Sequence, residues 1–152
     1  MINVKQKGAE GEREICKALN AIIQKVMRAH GYPEQEVLLA ANAVQRNQNQ
    51  SAVGGNDLTN TFGMSIEVKR QEQLSINTWW HQTTDAAERN GEHPVLLYRQ
   101  NGKKWKCVTM SYIELPNNKW KYIRVEFDWE TFQWWFHDWV EQKMLNGEKV
   151  RK

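Results

Sequence analysis

One periodicity constrains this chain before anything else. Between residues 9 and 29, Ile15, Leu19, Ile22, Ile23 and Val26 recur at the spacing of a single helix face. Such a stripe is stable only when buried, so the rest of the chain must build an apolar surface for it. The helix should stop near Gly31 and Pro33.

The later segments supply that surface. Residues 34–45 favour a second helix by propensity, although residues 37–39 also suit the start of a strand. Residues 46–56 (RNQNQSAVGGN) are polar and glycine-rich, hence a loop or an irregular edge. Residues 57–70 read as a β-hairpin whose three-residue loop, Thr61-Phe62-Gly63, puts Gly63 in the left-handed region. With the turn centred on Phe62, Asp57 faces Glu67 across the strands. A helix over 76–90 should be closed by Gly91 and Pro94, and a buried strand follows at 95–99. Strands at 103–110 and 119–127 are bounded by the turns Asn101-Gly102 and Pro116-Asn117-Asn118. A last helix runs from an N-cap at Asp128 to Leu145. This order predicts an α/β fold, a mixed sheet with helices packed on it.

The 152 residues fit a single domain, residues 1–152, with a Trp-rich strand-helix extension over about 111–152. Apolar content of 40% against 26% charged residues excludes disorder. No apolar run approaches the roughly 20 residues of a membrane span, and the N-terminus lacks the apolar core of a signal peptide. Cys16 and Cys107 show no motif spacing and suit a reducing compartment, so a cytoplasmic location is expected, in a bacterial or archaeal cell or a phage-infected host. Net charge is only +3, but residues 99–124 carry Arg99, Lys103, Lys104, Lys106, Lys119, Lys121 and Arg124 against the single acid Glu114. That stretch suits a phosphate backbone, and equally a solvated strand face.

The chemistry concentrates at Ile66-Glu67-Val68-Lys69. On a strand, Ile66 and Val68 point to one face while Glu67 and Lys69 share the other. Alone, an acid and a lysine so placed are most often a surface pair. The expected register adds Asp57 on the same face, about 5 Å from Glu67 between Cβ atoms. Two carboxylates that close need a proton or a cation between them, and hard oxygen ligands suit a divalent metal. A third acid comes from the first helix. Glu12 shares the stripe of Ile15 and Leu19, whereas Glu10 and Glu14 are each about 200° of rotation away, towards solvent. An acid so near the helix start could instead reach solvent or favour the helix dipole.

Lys7-Gly8-Ala9, Glu12-Arg13-Glu14-Ile15, Asp57-Leu58 and Ile66-Glu67-Val68-Lys69, in this order, resemble the archaeal-type Holliday junction resolvases of the PD-(D/E)XK nuclease superfamily, especially the small resolvase-like endonucleases of phages and prokaryotes. The resemblance covers residues 7 to about 100 and implies a restriction-endonuclease-like mixed β-sheet flanked by helices. It implies catalysis by Glu12, Asp57, Glu67 and Lys69, with Glu12, Asp57 and Glu67 holding Mg²⁺ (Mn²⁺ may substitute). Lys69 would position the attacking water. Arg46 and Ser51 match, at a longer spacing, the arginine and Ser/Gly loop that precede the family's catalytic Asp. The implied function is resolution of four-way DNA junctions in recombination, by phosphodiester hydrolysis, as a homodimer. Arg13, Arg46, Ser51, Lys103, Lys104 and Lys106 are the expected DNA contacts, and Gln82 an expected support behind the site. The alternatives are a flap, repair or restriction nuclease of the same superfamily, or a catalytically silent DNA-binding subunit.

Two further features stand beside that reading. The final helix carries Trp129, Phe132, Trp135, Phe136, Trp139, Val140 and Met144 on one stripe, a pattern that belongs in a core. Trp134 falls on the opposite side and suits an interface between protomers, as well as plain exposure. His81, next to Gln82, reads as a structural residue.

Overall fold

The computed structural model describes residues 4–47, 56–148 and 150. Helix α1 (Val4–Ala29) is followed by a short α2 (Glu34–Leu39) and a 3-10 turn (Ala40–Asn42). Then come β1 (Gln45–Arg46), β2 (Leu58–Thr59), β3 (Met64–Arg70), α3 (Ile76–Asn90), β4 (His93–Arg99), β5 (Lys106–Leu115), β6 (Lys119–Asp128) and α4 (Trp129–Leu145). The main sheet has the order β3-β4-β5-β6. β3 and β4 are parallel, joined through α3, and the other two pairings are antiparallel. The fold is α/β, a mixed sheet flanked by helices, as the order of elements predicts.

Strand alternation decides which helix each sheet face receives. Ile66, Val68, Val95, Leu97 and Cys107 share one cluster with Ile15, Leu19 and Ile23 of α1 and with Phe132, Phe136 and Val140 of α4. Leu96, Tyr98 and Val108, one residue out of phase, receive Trp79 and Trp80 of α3. The aromatic stripe of the last helix is therefore core. Its Trp139 indole also donates to the carbonyl of Phe62 at 2.7 Å, which pins the turn ahead of β3 to α4. The cap at Asp128, which accepts from the Thr131 N–H, and the left-handed Gly91 sit where expected.

Three expectations are corrected. The second helix ends at Leu39 rather than 45, because Asn20 on α1 captures the chain beyond it. The Asn20 amide donates to the carbonyls of Ala41 and Val44, and its oxygen accepts from the Val44 N–H. Second, residues 57–70 are not a laddered hairpin. Besides Gly63 (φ 92°), Asn60 (φ 61°) and Phe62 (φ 57°) are left-handed, so the turn is wider than one left-handed glycine would make it. β2 pairs antiparallel with β1, which straddles the end of the expected helix and the start of the expected loop, and β3 pairs with β4. Third, the strand expected from 103 starts at Lys106 and runs on to Leu115, because Trp105 is withdrawn to α1, where its indole meets Glu14.

Candidate active site

Although the ladder is absent, Asp57 still lies against β3. Its N–H donates to the Ile66 carbonyl at 3.1 Å and its Oδ2 accepts from the Val68 N–H at 2.7 Å. Its own carbonyl accepts from the Asn47 N–H at 2.9 Å. Asp57 thus occupies two backbone groups on the outer edge of β3, on either side of Glu67. The Asp57 and Glu67 carboxyls are neighbours, each influencing the other's proton.

Glu67 is only 6% exposed. Burial, and then the neighbouring Asp57 charge, push its carboxyl up to about 8. Burial also raises Asp57, opposed by the Val68 N–H and reinforced by the Glu12 charge. Lys69 works the other way, its ammonium favouring the ionised form of both acids. The alternation argument therefore holds: Ile66 and Val68 are core, while Glu67 and Lys69 serve the acidic cluster.

Glu12 arrives from α1 and is 7% exposed. It reaches β3 because Gly11 lets the backbones approach. A Cβ at Gly11 would lie 3.2 Å from the Arg70 Cβ and 3.3 Å from the Trp105 ring. Its Oε2 accepts from Arg46 Nε at 3.2 Å. Burial pushes the Cys16 thiol, one helical turn further on, up to about 11, with the Glu12 charge adding to the effect. Glu10 and Glu14 are exposed and face elsewhere, to Arg70 and Arg99 respectively, each at 3.6 Å. One helix thus sends one carboxylate into the cluster and two to arginines at the ends of β3 and β4.

Other expected residues are placed as follows. Arg46 directs its Nε to Glu12, a contact that sequence spacing does not reveal. Arg13, Gln82, His81, Lys103, Lys104 and Lys106 are exposed. Ser51, with residues 48–55, lies outside the described residues. Sequence reasoning reads Asn47 as a polar-loop residue or a phosphate contact and misses the part it plays with Asn56. The Asn47 side chain donates to the Asn56 carbonyl at 2.9 Å, and Asn56 bonds Glu92 at 3.2 Å, which holds the approach to Asp57. Both lie in a polar stretch whose composition signals only a loop.

Asp57 and Glu67 are neighbours at β3, and the charges of Glu12 and Lys69 act on both. Burial, reinforced by the repulsion between the two carboxyls, holds a proton on the pair at neutral pH, and carboxylate oxygens of this kind suit a hard divalent cation. A family match makes the chain an α/β endonuclease of the PD-(D/E)XK type, whose members generally use divalent metal ions. The model of the phage putative PDDEXK endonuclease family matches residues 3–152, and the chain belongs to that family. Among solved structures, the Holliday junction resolvase Hjc of the archaeal hyperthermophile Archaeoglobus fulgidus is similar at 18% sequence identity. That likeness covers 64% of this chain and 85% of that one, with a TM-score of 0.34. No curated protein gives a significant match. No helix among the described residues is long and apolar enough to cross a membrane.

Proposed function

We propose that the chain is a Mg²⁺-dependent, structure-selective endonuclease that cuts branched DNA, four-way junctions foremost, as a homodimer. The observation that supports cleavage best is the Asp57–Glu67 pair at β3, with the charges of Glu12 and Lys69 acting on both. Branched DNA as the substrate rests on the motif resemblance to resolvases. Glu12, Asp57 and Glu67 would hold Mg²⁺ or Mn²⁺. When bound, the cation supplies Lewis-acid polarisation of the scissile phosphate. The Lys69 ammonium would hydrogen-bond the attacking water and stabilise the negative charge on the oxygens of the pentacoordinate phosphorus. Arg46 and the Val68 N–H keep Glu12 and Asp57 oriented, so little reorganisation is needed. Exposed Arg13, Lys103, Lys104 and Lys106 are available to phosphates.

A plasmid-nicking assay tests the reading directly. The chain should nick with Mg²⁺ or Mn²⁺ and stop in excess chelator, while DNA binding survives. Full activity in chelator defeats the metal, and binding without nicking under any divalent ion makes the chain a silent DNA-binding subunit. A panel of four-way junction, flap and plain duplex then ranks the substrates. A resolvase cuts the junction best, in paired cuts.

A further inference from the structure

The outer half of the β5–β6 hairpin runs out beyond the sheet, held at its base by Met110 against the α3-side cluster and by Arg124, which donates to the Asn77 Oδ1 of α3 at 3.1 Å. β4 pairs with β5 only as far as Thr109, so Met110–Leu115 and Lys119–Arg124 pair with each other alone. They form a two-stranded arm about 20 Å long, six residues at roughly 3.4 Å each. The turn at its tip is tight, with Asn117 (φ 67°) and Asn118 (φ 58°) both left-handed.

A projecting ribbon would ordinarily be covered with polar side chains. This one carries Tyr112 (65% exposed), Trp120 (60%) and Tyr122 (46%). The register puts Tyr112 opposite Tyr122 and Glu114 opposite Trp120, so all three rings share one face of the ribbon. The two tyrosine rings are 4.7 Å apart, and Trp120 follows one cross-strand pair further out. The other face carries Lys119 and Lys121 over Leu115 and Ile113. The arm's charges are Lys119, Lys121 and Arg124 against Glu114. Tyr112 and Tyr122 also border a hollow of about 510 Å³ whose further wall includes Trp135 and Trp139.

A row of exposed rings on a net-basic ribbon only two strands wide, with its lysines on the reverse face and Arg124 on the ring face, matches the chemistry of unpaired nucleotides. Every base offers a π-face for stacking, while the ammonium groups follow the phosphates. A paired, stacked duplex hides those faces. We propose that the β5–β6 arm binds unpaired nucleotides of the DNA substrate and so directs the nuclease to DNA with interrupted base pairing. This rests on the reading of the chain as a DNA nuclease.

The test measures binding of the full chain, in chelator, to oligothymidine, to a blunt duplex and to a duplex interrupted by a single-stranded gap. Replacing Tyr112, Trp120 and Tyr122 together by Ala should weaken oligothymidine and gapped-duplex binding by about tenfold or more, given the usual strength of base stacking. Blunt-duplex binding should hold. The corresponding triple Phe variant keeps the π-faces and should restore affinity, which also controls for folding. Lys119→Ala with Lys121→Ala should lower the salt slope on oligothymidine by roughly 1.4, two contacts at about 0.7 each. Undiminished oligothymidine binding, equal loss on blunt duplex, or failure of the Phe variant to restore affinity overturns the proposal. So does an oligomer that dissociates with the Ala variant, since a second copy would then cover the rings. Failure of the wild type to cut any DNA with Mg²⁺ or Mn²⁺ defeats the nuclease reading instead and leaves the binding result standing.

Discussion

At the scale of the residue, the cluster holds like charges together at a cost that pH exposes. A carboxyl raised in the folded state keeps a proton that the unfolded chain releases near its ordinary value of 4.5. The native state then binds more protons across the window from 4.5 to about 8, so its stability falls as pH rises through that range. Thermal melts of the metal-free protein should therefore show a lower Tm at pH 8 than at pH 5.5. Mg²⁺ should restore part of the loss, and Glu67→Gln should flatten the profile. An equally pH-dependent Glu67→Gln protein would trace the slope to other groups. In cleavage, Glu67→Gln should cost about 10²–10³-fold or more, the scale of one lost transition-state contact. The α1 acids should separate as sharply. Glu12→Gln should impair cleavage far more than Glu10→Gln or Glu14→Gln, whose exposed ion pairs with Arg70 and Arg99 are worth at most about 1 kcal/mol of stability. Comparable single-turnover rates for the three variants would remove Glu12 from the site.

Between elements, the decisive contact is α1 on β3. Gly11 sits in a helix interior, where glycine costs about 1 kcal/mol relative to alanine, so a packing reason must retain it. That reason is the 3.2 Å approach to Arg70, which carries Glu12 to the strand. Gly11→Ala should be nearly neutral, helix propensity offsetting mild crowding. Gly11→Val puts an isopropyl group, two methyls beyond the alanine Cβ, into the same gap and should lose about 1–3 kcal/mol by overpacking. It should also lose cleavage beyond what its stability explains. Denaturant titration measures the first and rates well below the melting temperature the second. A stable, fully active Gly11→Val chain would show that the approach is slack. Helix α4 is the counterpart on the other side of α1. Its Trp139 ties down the Phe62 carbonyl, so the Trp-rich end helps to hold the turn that delivers β3.

For the whole molecule, the open question is assembly. Symmetric cuts in a four-way junction need two active sites related by symmetry. Trp134 is 66% exposed on α4, beside a hollow shared with Ile22 and Lys25 of α1. If that surface joins two protomers, Trp134→Ala should move a micromolar dimer towards monomer, a buried anchor of this kind costing about 2 kcal/mol or more. Paired cutting should fall with it, while the metal-free Tm profile at low concentration stays unchanged. Light scattering decides: an unaltered dimer places the interface elsewhere, and a wild-type monomer argues against the resolvase reading.

What the sequence determined by itself is whatever a few neighbouring residues can report. Helical phase alone separates Glu12 from Glu10 and Glu14. Strand alternation alone puts Glu67 and Lys69 opposite Ile66 and Val68. The span of α3 with Gly91, and the Asp128 cap of α4, follow from local rules of the same kind. Tertiary structure decided the rest. Arg46 finds Glu12 from 34 residues away, and Asn20 stops α2 by bonds reaching 24 residues along the chain. β3 pairs with β4 rather than β2, yet Asp57 still meets Glu67 through its own side chain and backbone. Periodicity and capping are energies of adjacent residues, so they are written in order along the chain. Strand partners and ion pairs depend on which edges and charges remain unmet once the helices have packed, and that is settled only in three dimensions.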